Sequence, residues 1–155
     1  MLGNWMIGRG LRKTLQDEDG TALLEMAISL TATFLLAFAL FELCMLTYTC
    51  IVLNDAAQEG VRYAIMHGTD SSNCSGPDNG CADKTYANVK KIVTKTASAS
   101  LHDLSAMTVN VTYGSVTATP GNPVSVKVVY TYVPYMNFPG LKRTMTFTSQ
   151  GRVLF

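Results

Sequence analysis

The sequence predicts an α+β protein carried on one long N-terminal membrane helix, and three features of it carry that prediction. An overwhelmingly apolar run from Ala22 to Leu53 carries only two charged residues, Glu25 and Glu42; a stretch of helical period follows from Tyr86 to Leu104; and from Met107 onward apolar and polar residues alternate. The architecture expected is a long transmembrane helix, then a small exported domain with one amphipathic helix on a three-stranded antiparallel sheet.

The long helix comes first. Before it stands a polar leader with Arg9, Arg12, Lys13, Asp17, Glu18 and Asp19, which meets the apolar run at Gly20-Thr21-Ala22-Leu23-Leu24-Glu25. A secretory signal peptide is cut after its apolar region, whereas the small residue here lies before it. Cleavage between Gly20 and Thr21 therefore leaves the helix on the mature protein. From Thr21 to Glu59 there is neither Pro nor Gly, and Ala, Leu, Met and Phe dominate, so one unbroken helix is expected. Gly68 is the expected left-handed cap, giving about 45 residues and a rod of about 70 Å. The domains expected are a leader over 1–20, the helix over 21–67 and an exported domain over 68–155.

A bilayer core of about 30 Å takes about 20 helical residues, so Ala22 to Phe41 fills it and Leu43 to Leu53 remains as an apolar extension. That extension needs cover from protein: the chain's own domain, other copies or partner helices. Arg9, Arg12 and Lys13 on the leader side, against Arg62 near the other end, orient the leader to the cytoplasm and the domain outward. Cys44 and Cys50, six residues or about 9 Å apart on the helix, exceed disulfide reach and are expected as buried thiols.

Glu25 has two readings. It either snorkels to the headgroups, or it pairs with the new amine of Thr21 on a neighbouring copy, cancelling two charges that are each costly in an apolar bundle. Ser29, Thr33 and Ala37 recur at four-residue spacing and admit a close helix neighbour. Glu42 lies seventeen residues, about 25 Å, beyond Glu25 and so near the outer interface, hydrated or bonded to a partner.

In the exported part, Cys74 and Cys81 flank Ser-Gly-Pro-Asp-Asn-Gly, a short turn-rich loop suited to a disulfide in an oxidising compartment. Asp83 is the expected N-cap of the second helix, one broad face of which holds Tyr86, Val89, Ile92, Val93, Thr96, Ala97, Ser100, Leu101 and Leu104, with Lys84, Lys90, Lys91 and Lys95 mostly on the solvated side. Met107 to Tyr113 and Val124 to Tyr132 alternate as strands joined by Pro120-Gly121-Asn122-Pro123. Pro134 to Gly140 makes the next connection, alternation resumes over 143–148, and Arg152 to Phe155 closes the chain.

Composition excludes several functions. The net charge of +1, with cations spread from Arg62 to Arg152, leaves no basic stripe for nucleic acid. His67 and His102 are the only histidines, and neither stands in a catalytic constellation; the cysteine loop lacks the spacing of a zinc site, and no Gly-rich phosphate loop is present. The expectation is a non-enzymatic protein with no cofactor, no metal and no small-molecule substrate.

With these residues in place, the chain resembles a known family. The junction Gly20 to Glu25 resembles the prepilin motif, and Phe41-Glu42-Leu43 followed by Asp55-Ala56-Ala57-Gln58-Glu59-Gly60-Val61-Arg62-Tyr63-Ala64 resembles the TadE-like minor pseudopilins of tight-adherence (Flp-type) pilus systems. The resemblance spans Asp19 to Ala64. It implies cleavage after Gly20 by a prepilin peptidase, residence in the bacterial inner membrane, and a part in pilus assembly alongside other pilins, pseudopilins and the assembly machinery. It makes Gly20 and Thr21 the processing site and Glu25 the acidic position of the mature chain. The acids Asp17 to Asp19 depart from ordinary type IV pilins, and Met26 departs from major Flp pilins. Packing alone also accounts for the second stretch, since Ala56, Ala57, Gly60 and Ala64 form a small-residue face and Arg62 can pair with Glu59 of the same or another copy. The alternative to a pseudopilin is a single-pass, signal-anchored envelope protein whose exported domain binds a surface ligand or partner.

Overall fold

The computed structural model of the protein describes residues 5–78, 80–99, 101, 103–135 and 142–155, with side chains from residue 20 onward. The order is α1 (Trp5–Met66), α2 (Ala87–Ser98), β1 (Met107–Tyr113), β2 (Pro123–Tyr132) and β3 (Arg143–Arg152). An α+β protein with one long apolar helix, a short helix and a three-stranded antiparallel sheet is what the sequence called for. The chain divides into two compact units, Met1–Leu43 and Cys44–Phe155.

The first unit is helix. α1 is 62 residues long and starts well before the expected Thr21, running through the Gly20-Thr21 junction without a break. The leader has no Pro, and Leu11, Arg12, Lys13, Leu15, Gln16 and Glu18 just before the junction are good helix formers. From Gly20 to Phe41 every residue is exposed, including Leu23 (69%), Leu36 (64%) and Phe41 (52%). The helix carries its apolar side chains on all sides, and the hydroxyls of Thr31 and Thr33 donate back to the carbonyls of Ala27 and Ser29, each at 2.8 Å. Those bonds leave few polar groups facing outward, as a lipid environment requires.

The second unit is built on the C-terminal part of α1. Leu53, Ala56, Ala57, Val61 and Ala64 are buried together with Val89, Val93 and Ala97 of α2 and Val124, Val126 and Val128 of β2. Both helices thus cover one face of the sheet. The apolar extension is covered in part by the chain's own domain: Thr49 and Leu53 are buried, while Tyr48 and Ile51 stay exposed. The expectation of two buried thiols is corrected, since Cys44 is exposed and Cys50 half-buried, its Sγ 3.3 Å from Met145 Sδ. A helix lying on a domain presents one face to it, and Cys44 is not on that face. The two cysteines are unbridged.

The sheet is a meander in the order β1-β2-β3, antiparallel throughout. Register puts Val109, Val128 and Phe147 in one row and Val111, Val126 and Ser149 in the next, facing the helices. The alternate rows, such as Asn110-Lys127-Thr148 and Thr112-Ser125-Gln150, make the polar face. β3 continues past Thr148 to Arg152 because Gly151 admits Ile65 and Val61 of α1, whose side chains occupy the space a Cβ would need. The turn before β2 has Pro120 and Gly121 at its centre, with Gly121 at φ 88° and Asn122 N–H donating to the Thr119 carbonyl at 3.1 Å. A type II turn demands that positive φ, which glycine supplies.

Two further expectations change. Gly68 is not a left-handed cap, the one glycine of positive φ among the described residues being Gly121. It is a point of close approach instead: a Cβ there would collide with Val153 Cγ1 and with the carbonyls of Phe155 and Ala118. The end of α1 is satisfied by other chain segments, Leu154 N–H donating to the Ile65 carbonyl at 3.0 Å and Ser75 N–H to the His67 carbonyl at 2.9 Å. α2 is also shorter than Tyr86 to Leu104; Leu101 and Leu104 pack on the core from beyond its end. Part of the connection expected over Pro134 to Gly140, and His102, lie outside the described residues.

Candidate assembly helix and the cysteine loop

On the helix of the first unit, Gly20 and Thr21 are exposed, and a Cβ at Gly20 would meet nothing within 4 Å beyond its own helix backbone. Glu25 is exposed one turn further on, lining a shallow groove with Ala22, Met26, Ser29, Leu30 and Thr33. These residues share one helix face by their three- and four-residue spacing. Glu42 is half-buried further along α1. The leader side chains, Arg9 to Asp19 among them, lie outside the described residues.

The second resemblance segment separates into two faces. Ala56, Ala57 and Ala64 are fully buried, and a Cβ on Gly60 would meet Val93 Cγ2 of α2 and Val126 Cγ1 of β2. The small residues are therefore used within the chain, to bring α1 close to its own α2 and sheet. Asp55, Gln58, Glu59 and Arg62 point away from that core and are exposed. Glu59 and Arg62 form an ion pair at 3.7 Å, with side chains 50% and 77% accessible, so water screens it and it adds at most about 0.5 kcal/mol.

Cys74 and Cys81 are joined in a disulfide with Cα atoms 4.9 Å apart, and both are buried. The loop is pinned at several points. Asp78 Oδ2 accepts from the Thr69 hydroxyl at 2.8 Å and from the backbone N–H of Ala118 in the β1–β2 connection, while Thr69 N–H donates to the Ala118 carbonyl at 3.1 Å. Tyr113 Oη donates to the Ser75 carbonyl at 2.6 Å from the end of β1. Burial, with Tyr86, Asp83 and Asp78 nearby, pushes the Tyr113 hydroxyl up to about 12. Asp78 and Tyr113 were not singled out from sequence; the only signal was an acid inside a Pro-Asp-Asn-Gly turn.

Asp83 does cap α2, though not from the N-cap position. That position belongs to Tyr86, held in the left-handed region at φ 59° and tilted against the Tyr113 ring, while Asp83 reaches over it to accept from Ala87 N–H at 2.9 Å and Asn88 N–H at 2.7 Å. Its partial burial opposes ionisation, but the bonds from Asn88 and Ala87, with those from the Ser75 and Thr85 hydroxyls, hold its carboxyl below the usual range. His67 stacks on Tyr63 with ring centres 3.9 Å apart, and its Nδ1 lies 2.9 Å from the Tyr63 carbonyl. No group of three or more His, Cys, Asp or Glu side chains able to hold a metal is present among the described residues.

The fold and the helix together define a class: a small α+β domain borne by a helix that is long and apolar enough to cross a membrane, which fits a single-pass anchor. Residues 20–62 match the family model described as TadE-like protein, so this stretch of the long helix is similar to that family. The match covers the helix from the Gly20 junction through the Glu59–Arg62 turn, nearly the span of the resemblance in the sequence. No curated protein and no solved structure matches the chain.

Proposed function

We propose that the protein is a minor pseudopilin: a membrane-anchored structural and assembly component of a tight-adherence pilus, processed between Gly20 and Thr21 by a prepilin peptidase. In this reading residues 1–20 are a cytoplasmic leader, 21–67 are the membrane and stalk helix, and 68–155 are exported from the bacterial inner membrane. The observation that carries it is the coincidence of the TadE-like match with an apolar helix exposed on every side from Gly20 to Phe41 and bearing one acid, Glu25, in its first turns. Such a helix is built for lipid and then for other helices. After cleavage the Thr21 amine and Glu25 of neighbouring copies would neutralise one another on transfer into an apolar bundle. Glu42, and Glu59 with Arg62 on the outward face of α1, are the further contacts proposed for other pilins, pseudopilins and the assembly machinery.

Intact-mass measurement on the protein extracted from membranes of cells with an active prepilin peptidase tests the processing step. Loss of residues 1–20 is expected; a chain that keeps its leader refutes it. Glu25→Gln is expected to insert and be processed normally but to be lost from purified pilus assemblies, and unchanged incorporation refutes the pairing.

A further inference from the structure

In the Cys44–Phe155 unit, the end of the sheet carrying Tyr130 to Tyr135 is unlike the other. A cleft of about 260 Å³ opens there between the first turns of the unit and the end of β2, with Tyr48, Tyr130, Tyr132 and Tyr135 among its lining residues. Four of the seven tyrosines of the chain meet in this one place. Tyr130 and Tyr132 are tied into the fold, Tyr130 Oη donating to the Asp103 carbonyl at 3.3 Å. The outer members are not buried: Tyr48 is 45% exposed, Val133 51% and Tyr135 67%. Among the described residues, Asp103 is the one charged side chain that lines the cleft.

We propose that this tyrosine-rimmed end, presented by Tyr48, Val133 and Tyr135, rests on the lipid surface, with the phenol rings at headgroup level and Val133 toward the acyl boundary. The inference rests on reading α1 as a membrane anchor. The occupant follows from chain continuity: Met45 and Tyr48 belong to the apolar run that begins at Ala22, so this surface adjoins the anchor along the chain rather than standing at a remote loop. Tyrosine favours that depth because its ring is apolar and its hydroxyl needs a polar partner. Lys142 and Arg143 stand exposed beside this end of the sheet, Arg143 opposite Tyr132 in register, so anionic lipid is expected to strengthen the contact. It also gives the exposed side of the apolar extension an environment, since Tyr48 and Ile51 face away from the domain core.

The test uses the full chain in lipid vesicles whose acyl chains are brominated near the headgroup, in a Trp5→Phe background so that each variant carries one tryptophan. Tyr135→Trp and Val133→Trp probe the surface. Val116→Trp, 84% exposed in the connection at the opposite end of the sheet, is the reference, and Phe34→Trp probes the anchor. Emission of the Tyr135→Trp and Val133→Trp variants is expected to fall at least about twofold more than that of Val116→Trp. The fall is expected with pure phosphatidylcholine and is expected to deepen in mixtures containing phosphatidylglycerol. Quenching equal to that of Val116→Trp, while Phe34→Trp is quenched, overturns this inference and leaves the anchor intact. Absence of quenching in Phe34→Trp overturns the anchor reading itself. A blue shift at residue 135 that depends on protein-to-lipid ratio and is not quenched assigns the surface to a second copy and overturns the lipid contact.

Discussion

The hydroxyl of Tyr113, at the end of β1, donates to the carbonyl of Ser75 at 2.6 Å, across 38 residues of chain and inside the buried junction between sheet and cysteine loop. This bond joins the loop to the sheet directly, independently of the disulfide.

Tyr113→Phe should leave the Ser75 carbonyl buried without that donor and lower stability by about 1–3 kcal/mol, read as a fall in melting temperature in detergent. The wild-type hydroxyl also sets an alkaline limit. Its folded value of about 12 lies above the ordinary 10.0, so the folded state holds a proton that the unfolded state loses. Its stabilisation is complete below pH about 10 and declines as pH rises toward 12. The alkaline decline should be shallower in Tyr113→Phe; an identical profile would contradict the assignment.

Asp83 sets the opposite limit. Its carboxyl is held below the ordinary value of 3.8, so its contribution is present above that pH and is lost as pH falls through the folded value. Asp83→Ala should cost about 0.5–2 kcal/mol at neutral pH, with the difference from wild type narrowing in acid. Amide exchange at Ala87 and Asn88 would rise in the variant if these bonds hold the helix start.

Gly60→Ala tests the crossing of α1 over α2. Alanine is the better helix former by about 1 kcal/mol, yet its Cβ would collide with Val93 and crowd Val126, both buried and β-branched. Net destabilisation of about 1–2 kcal/mol is expected, with partial recovery in Gly60→Ala/Val93→Ala. Stabilisation by the single substitution would show that the helices can separate without cost.

Cys74→Ser with Cys81→Ser opens a bridge between cysteines seven residues apart. Loop-closure entropy gives about 2.5 kcal/mol of lost stability. Because Asp78 and Tyr113 also hold the loop, the domain should still fold, and urea midpoints compared with and without reductant would measure the difference. A reductant-insensitive midpoint for wild type would discount the bridge.

The strands were legible because the meander has one dry face: the alternation of Val124, Val126 and Val128 against Ser125 and Lys127 is the pattern such a sheet imposes. The TadE-like stretch was legible too, by its residues, but its small side chains admit two uses. Whether Ala56, Ala57, Gly60 and Ala64 meet another copy or the chain's own core depends on where α2 lies, which spacing does not encode. The same holds for Gly68, whose place in the sequence suits a cap while its space is taken by Ala118, Val153 and Phe155.

What the residues alone determine here is periodic: an unbroken apolar helix, one amphipathic helix, three alternating strands and a cysteine pair closing a short turn. These follow from local sterics and from which side chains shun water. Tertiary structure alone decided which face of α1 is spent on the domain and which is left outward, and that Asp78, Asp83 and Tyr113 tie the loop to both helix and sheet. Such contacts join residues tens of positions apart, so they are set by packing of the assembled layers and have no period in the chain.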